Sequence, residues 1–235
     1  MARFLLGLWL LLALPAAAAP VWRYQVNLSP DLERMAVEAW FEPSEDRTLT
    51  FDEETLGFVH DMRVERGGSW LDLGAPQGGV WSIPTGLRGP WHLRYDFRLR
   101  QAGLALGNAR EVMLQQNAVV SSPGAWLAHP SEVPRGTYRL RVSVPAGVAY
   151  ESAVWPSSAD PSCSEARCED LDQAPDCVLG QFASQRIQLP GGILTLAYLP
   201  GQLKMTDEEL LSWVTRTARG VATYYGRFPV KRALL

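Results

Sequence analysis

Three histidines, His60, His92 and His129, are the only imidazoles in the chain, and their spacing decides whether zinc hydrolysis is written into it. The helical H-E-x-x-H pattern sets two imidazoles one turn apart on one face so that both reach the same ion. No two of these histidines lie four residues apart. Serine chemistry needs a nucleophile, a base and an orienting acid, often presented on a G-x-S-x-G turn. That turn is absent, and Ser121 and Ser122 stand before Pro123 and Gly124, which is turn chemistry. Glu53 and Glu54, like Glu208 and Glu209, are neighbours in sequence, which gives no sign of the separated carboxylates of a glycosidase. The second pair suits the positive end of a helix. No glycine-rich phosphate loop occurs. The sequence therefore assigns no catalytic residue and no metal ligand.

Two groups of residues remain. Cys163, Cys168 and Cys177 fall in one polar segment. In an exported chain, two of them are expected to form a disulfide that staples the loop, leaving the third unpaired. Three thiolates with no histidine nearby fall short of the usual four zinc ligands. The other group is Gln115, Gln116 and Asn117 with Trp126, amides and an aromatic near a tight turn. They form a candidate substrate-facing loop, against the plainer reading of a connection between two sheets. Exposed tryptophans would also suit a glycan, but most of the nine sit in strand patterns and are expected in the core.

The elements that carry these residues have mostly a period of two. Trp22 to Leu28 and Met35 to Phe41 alternate apolar and polar residues around Ser29-Pro30-Asp31, which predicts a hairpin. Further strands are predicted at 48–51, 59–65, 70–73, 80–83, 91–99, 138–144, 148–154, 181–189 and 193–198, with Gly and Pro turns between them. In the run from Trp91 to Leu99, His92, Arg94, Asp96 and Arg98 face away from the apolar side. Residues 156–177 read as an inserted, cysteine-containing loop. The period changes at Thr206-Asp207-Glu208-Glu209, a capping box. The apolar positions Leu210, Leu211, Val214, Ala218, Val221 and Tyr225 then follow helical spacing, and Gly226 suits the C-terminal end. The expected fold is mainly β, an antiparallel β-sandwich or large twisted sheet with one C-terminal amphipathic helix.

Residues 1–19 have the layout of a secretory signal: Arg3, an apolar run from Phe4 to Leu14, then Pro15 and small residues before Pro20. Cleavage is expected after Ala17, Ala18 or Ala19, giving a periplasmic or extracellular protein. No transmembrane segment is expected, since a span takes roughly 20 apolar residues. A net charge of -3 with both signs interspersed excludes a basic stripe, so nucleic acid is not an expected partner.

The order of parts resembles a known one. It comprises the opening Trp22 to Val26, the segment Pro123 to Pro130 (Pro-Gly-Ala-Trp-Leu-Ala-His-Pro), the strand Tyr138 to Pro145 followed by Gly147, and the end Tyr224-Tyr-Gly-Arg-Phe-Pro-Val230. Together these resemble the N-terminal region of gluzincin aminopeptidases, closest to the glycyl aminopeptidase family of exported peptidases, several of which carry a PDZ domain. In that family the late helix and Phe-Pro segment begin a thermolysin-like catalytic domain, in which H-E-x-x-H and a downstream Glu hold zinc. None of those residues is present here. The resemblance implies a signal peptide at 1–19, an N-terminal β domain at 20–202, and the start of a truncated catalytic domain at 203–235. A new apolar strand opening at Phe228 just before the sequence stops at Leu235 fits an interrupted protein. Zinc then belongs to the full-length protein, with no cofactor in this chain. The implied partners are the missing catalytic domain and the parent enzyme's peptide substrate. The alternative is a complete exported β-sandwich module that binds a peptide or glycan.

Overall fold

The computed structural model describes residues 21–108 and 111–235; the leader assigned to residues 1–19 lies outside the described residues. Alternation builds the first hairpin as expected. In β1 (Trp22–Leu28) and β2 (Met35–Phe41) every second residue is buried, because successive strand side chains point to opposite faces. The Ser29 hydroxyl donates to Asp31 Oδ1 at 2.6 Å and accepts from the Arg34 amide, which closes the turn.

The chain continues through β3 (Thr48–Thr50), β4 (Val59–Arg66), β5 (Ser69–Asp72), β6 (Trp81–Ser82) and β7 (Trp91–Phe97). The strand expected to run to Leu99 stops at Phe97, and a two-turn helix, α1 (Leu99–Leu106), follows. Its Leu99, Ala102 and Gly103 are buried, so the apolar residue that looked like a strand end opens a helix face instead. Next come β8 (Val112–Gln115), β9 (Ala118–Ser121), β10 (His129–Pro130), β11 (Thr137–Ser143), β12 (Ala149–Ser152), β13 (Ser164–Arg167) and β14 (Cys177–Gly180). The last elements are β15 (Ala183–Leu189), β16 (Gly192–Tyr198), α2 (Asp207–Tyr224) and β17 (Arg232–Leu234).

The fold is mainly β and mostly antiparallel. A seven-stranded sheet runs in the order β13-β11-β1-β2-β7-β4-β5. Its inner face shares one core with the sheets β12-β14-β9-β8 and β10-β3-β6, centred on Trp22, Trp91, Trp126, Tyr138 and Phe41. Among the described residues two pairings are parallel, β1 with β11 and β16 with β17.

The segment expected to be an inserted loop is part of this core. Within it β13 pairs with β11 at the sheet edge, and residues 168–173 form a 3-10 helix that buries Cys168 and Leu171. Cys177 then opens β14 with no exposed surface. Exposed polar neighbours such as Ser158, Ser162, Glu169 and Asp172 disguise the inward positions.

A second, smaller core joins Ile187, Leu189, Leu194 and Leu196 of β15 and β16 to Val214, Ala218 and Ala222 of α2, with Phe228. The expected capping box is present: Thr206 Oγ1 accepts from the Glu209 amide at 3.2 Å, and Glu209 Oε2 accepts from the Thr206 amide at 2.8 Å. Gly226, at φ 73°, takes the left-handed position after the helix. The helix buries one Val and two Ala side chains, a modest hydrophobic gain of a few kcal/mol. Trp213, Tyr224 and Tyr225 stay exposed.

Candidate functional site

The segment Pro123 to Pro130 forms an internal strap. Ser122 caps its 3-10 turn, accepting from the Gly124 amide at 3.2 Å while its hydroxyl donates to the Ala174 carbonyl at 3.0 Å. Two core tyrosines hold the strap by its backbone. The Tyr95 hydroxyl donates to the Trp126 carbonyl at 3.0 Å and accepts from the Ala128 amide at 2.9 Å. The Tyr24 hydroxyl donates to the Ala128 carbonyl at 3.0 Å. Burial pushes both phenols well above their ordinary range, so they remain neutral donors.

The strap delivers His129 to a cleft of about 590 Å³. The ring stacks on Trp22 at 5.4 Å between centroids. Its Nδ1 lies 2.9 Å from the Pro130 carbonyl, and its Nε2 lies 3.1 Å from Asp172 Oδ1. The hydrogen bond from His129 holds the Asp172 carboxyl below its ordinary value. Asp52, Glu111 and Asp176 line the same cleft, and among the described residues no Lys or Arg does. The cleft is therefore acidic and attracts cations.

The two serines nearby are engaged with backbone carbonyls. Ser122 donates to Ala174, and the Ser121 hydroxyl donates to the Glu111 carbonyl at 2.6 Å. Among the described residues no three His, Cys, Asp or Glu side chains converge as metal ligands. The zinc implied by the resemblance finds no donor set in these residues.

The predicted substrate-facing loop divides in two. Gln115, Gln116 and Asn117 form the β8–β9 turn, with Gln116 at φ 54°. Gln115 Nε2 donates to the Pro200 carbonyl at 2.7 Å, and Asn117 Nδ2 reaches Gln181 Oε1 at 3.4 Å. Trp126 has no exposed surface and belongs to the main core. The structure does not bring the amides and the indole together at one surface.

All three cysteines are free and buried, in place of the disulfide expected between two of them. Cys163 Sγ donates to Asp160 Oδ2 at 3.3 Å and receives Arg141 Nε at 3.4 Å. Cys177 Sγ donates to the Ser121 carbonyl at 3.1 Å. Burial pushes the Cys168 thiol up to about 12 and the Cys177 thiol further. Both therefore behave as small apolar core groups.

A constellation that sequence spacing does not reveal lies on the outer face of the large sheet. His92 stacks on Trp40 at 4.7 Å and meets Trp70 edge-on at 4.8 Å. Its Nδ1 and Nε2 lie 2.6 and 3.1 Å from Glu65 and Glu38 carboxylate oxygens, and the Arg94 guanidinium lies 4.2 Å over Trp70. Alternation points His92 outward, but only the pairings of β2, β7, β4 and β5 gather its neighbours.

Where the two cores meet, Glu151 of β12 is 7 % exposed and anchors three groups. Its Oε1 accepts from Arg186 at 3.0 Å and from the Ser184 hydroxyl at 3.4 Å, and its Oε2 accepts from Arg232 at 3.2 Å.

No protein-family model matches the sequence, and neither does any curated protein. Among solved structures, the fold is similar to that of an aminopeptidase N family protein from Idiomarina loihiensis, with a TM-score of 0.69 at 11 % identity. The match covers 91 % of this chain and 38 % of that one. At this identity the likeness is one of fold.

Proposed function

We propose that this chain is the noncatalytic N-terminal β domain of an exported zinc aminopeptidase-like protein, joined to the first elements of its catalytic domain. Its role would be to shape access to the active-site cleft. The observation that carries this reading is the fold likeness, which spans nearly all of this chain but only 38 % of an aminopeptidase N family protein. The exposed Trp213, Tyr224 and Tyr225 on and beside α2 support it, since a face of this kind suits contact with further protein. The finer assignment to gluzincins of the glycyl aminopeptidase type rests on the Tyr224 to Val230 motif, and export rests on residues 1–19. The packing favours a division near Gln181, ahead of β15, because β15 and β16 share their core with α2.

The test is to read the coding sequence beyond the Leu235 codon in the source genome. A continuing frame that encodes H-E-x-x-H and a later Glu is the expected result; an immediate stop overturns the reading. An exported module binding a peptide or glycan is the second reading, favoured by the Trp40–His92–Trp70 cluster on an open sheet face. It predicts glycan-array or peptide binding that Trp40→Ala and Trp70→Ala abolish.

A further inference from the structure

A cavity of about 280 Å³ opens where the two cores meet, and its chemistry differs from that of the acidic cleft. Leu194 and Leu196 of β16 turn toward α2, so Ile193 and Thr195, one position out of phase, project from the opposite face. Strand pairing sets Arg186 beside Thr195 and Arg232 beside Ile193 on that face. Lys231 completes the cationic side, with its ammonium 5.0 Å from the Trp155 ring. Among the described residues no Asp or Glu lines the cavity. Glu151 occupies one terminal nitrogen each of Arg186 and Arg232, so one carboxylate answers three cations.

Thr195 is the second sign of a ligand. The residue is 1 % exposed, lines the cavity, and its hydroxyl has no hydrogen-bond partner in the protein. A buried hydroxyl without a partner is costly, and this one belongs to a residue that lines the space beside the cations. Trp155, 45 % exposed, and Pro156 supply the apolar wall.

We propose that this cavity binds a small amphiphilic carboxylate, its anionic group taken by Thr195, Lys231 and the free guanidinium nitrogens of Arg186 and Arg232, and its apolar body laid against Trp155. A carboxylate fits better than a phosphate because the Trp155, Pro156 and Ile193 side offers no side-chain hydrogen-bond donor facing the extra oxygens, apart from the indole edge. The Arg186 and Arg232 pair already holds a carboxylate in Glu151, which shows the geometry these two guanidinium groups accept.

Isothermal titration of the whole chain with benzoate, benzamide and inorganic phosphate at low salt tests this. Saturable benzoate binding with Kd on the order of 1 mM, and benzamide weaker by about tenfold or more, is the expected result. Thr195→Val breaks no protein hydrogen bond, and Lys231→Gln alters an exposed side chain, so both variants should fold; each should weaken benzoate binding by about threefold or more. No saturable benzoate heat, equal binding of benzamide, or unchanged affinity in both variants would overturn the proposal. Phosphate binding tighter than benzoate would overturn the choice of carboxylate.

Discussion

Glu151 and Arg232 stand 81 residues apart in sequence and meet at 3.2 Å, tying the main β core to the strand that follows α2. Arg186 reaches the other oxygen of the same carboxylate from β15. One nearly buried acid thus clasps two strands of the smaller sheet to β12, at a junction where the hydrophobic contribution of α2 is small.

Replacing Glu151 with Gln should loosen this junction. Arg186 and Arg232 keep part of their water, with side chains 59 % and 24 % exposed, so the expected loss is about 1–2 kcal/mol. Hydrogen exchange should quicken across 183–198 and 207–234 while β1 and β2 remain protected. Uniform acceleration throughout the chain would contradict a local clasp.

Tyr95→Phe should cost more than Tyr24→Phe. The first change strands both the Trp126 carbonyl and the Ala128 amide in the core, and the second strands one carbonyl. Losses of about 2–4 and 1–2 kcal/mol follow, to be compared by urea unfolding.

Acid should weaken the β11–β13 edge. The Ser157 hydroxyl, with Arg139 in support, holds the Glu165 carboxyl below its ordinary value of 4.5. A depressed folded value means that this contribution is complete above about pH 4.5 and is lost as pH falls through the folded value. Glu165→Gln should lower stability at pH 7 by about 1–2 kcal/mol and by much less at pH 2.5; an equal loss at both would exclude the ionised carboxylate as the source.

Thiol counting should find Cys168 and Cys177 unreactive in the native protein at pH 8, since burial raises both. All three thiols should react once the protein is unfolded in denaturant. Recovery of a single thiol would show that a disulfide had formed.

Gly180→Ala should be among the most damaging single-methyl changes. A Cβ there would lie 2.2 Å from the Asn117 carbonyl oxygen, on a backbone at φ 127°. A loss of about 3 kcal/mol or more is expected, measurable as a fall in Tm.

Strands β1, β2 and β7 and helix α2 were legible because their signals are local: alternation in the strands, and a capping box whose two halves lie three residues apart; β8, β9, β10, β13 and β14 are too short to show a period and were not foreseen. Helix α1 was hidden because Leu99 continues the strand's alternation by one residue, and only Ala102 and Gly103 reveal the new period. The role of 156–177 was masked by its polar majority, with Cys168, Leu171 and Cys177 too widely spaced to show a pattern. Trp126 could not be placed at a surface or in the core from sequence, because its burial depends on Tyr24 and Tyr95 from distant strands. The cationic cavity was likewise invisible, since Arg186, Thr195 and Arg232 become neighbours only through strand pairing.

The parallel register of β1 with β11 sets an order on folding. Trp22 faces Tyr138 and Asn27 faces Ser143, so the first strand to be synthesised cannot complete its pairing until much of the chain has followed. Meanwhile β1 can pair with β2 but presents its other edge unsatisfied, an invitation to strand addition by a second molecule. Such distant pairing slows folding, which makes the interval before β11 arrives, rather than the finished fold, the stage at which this chain is most exposed to aggregation.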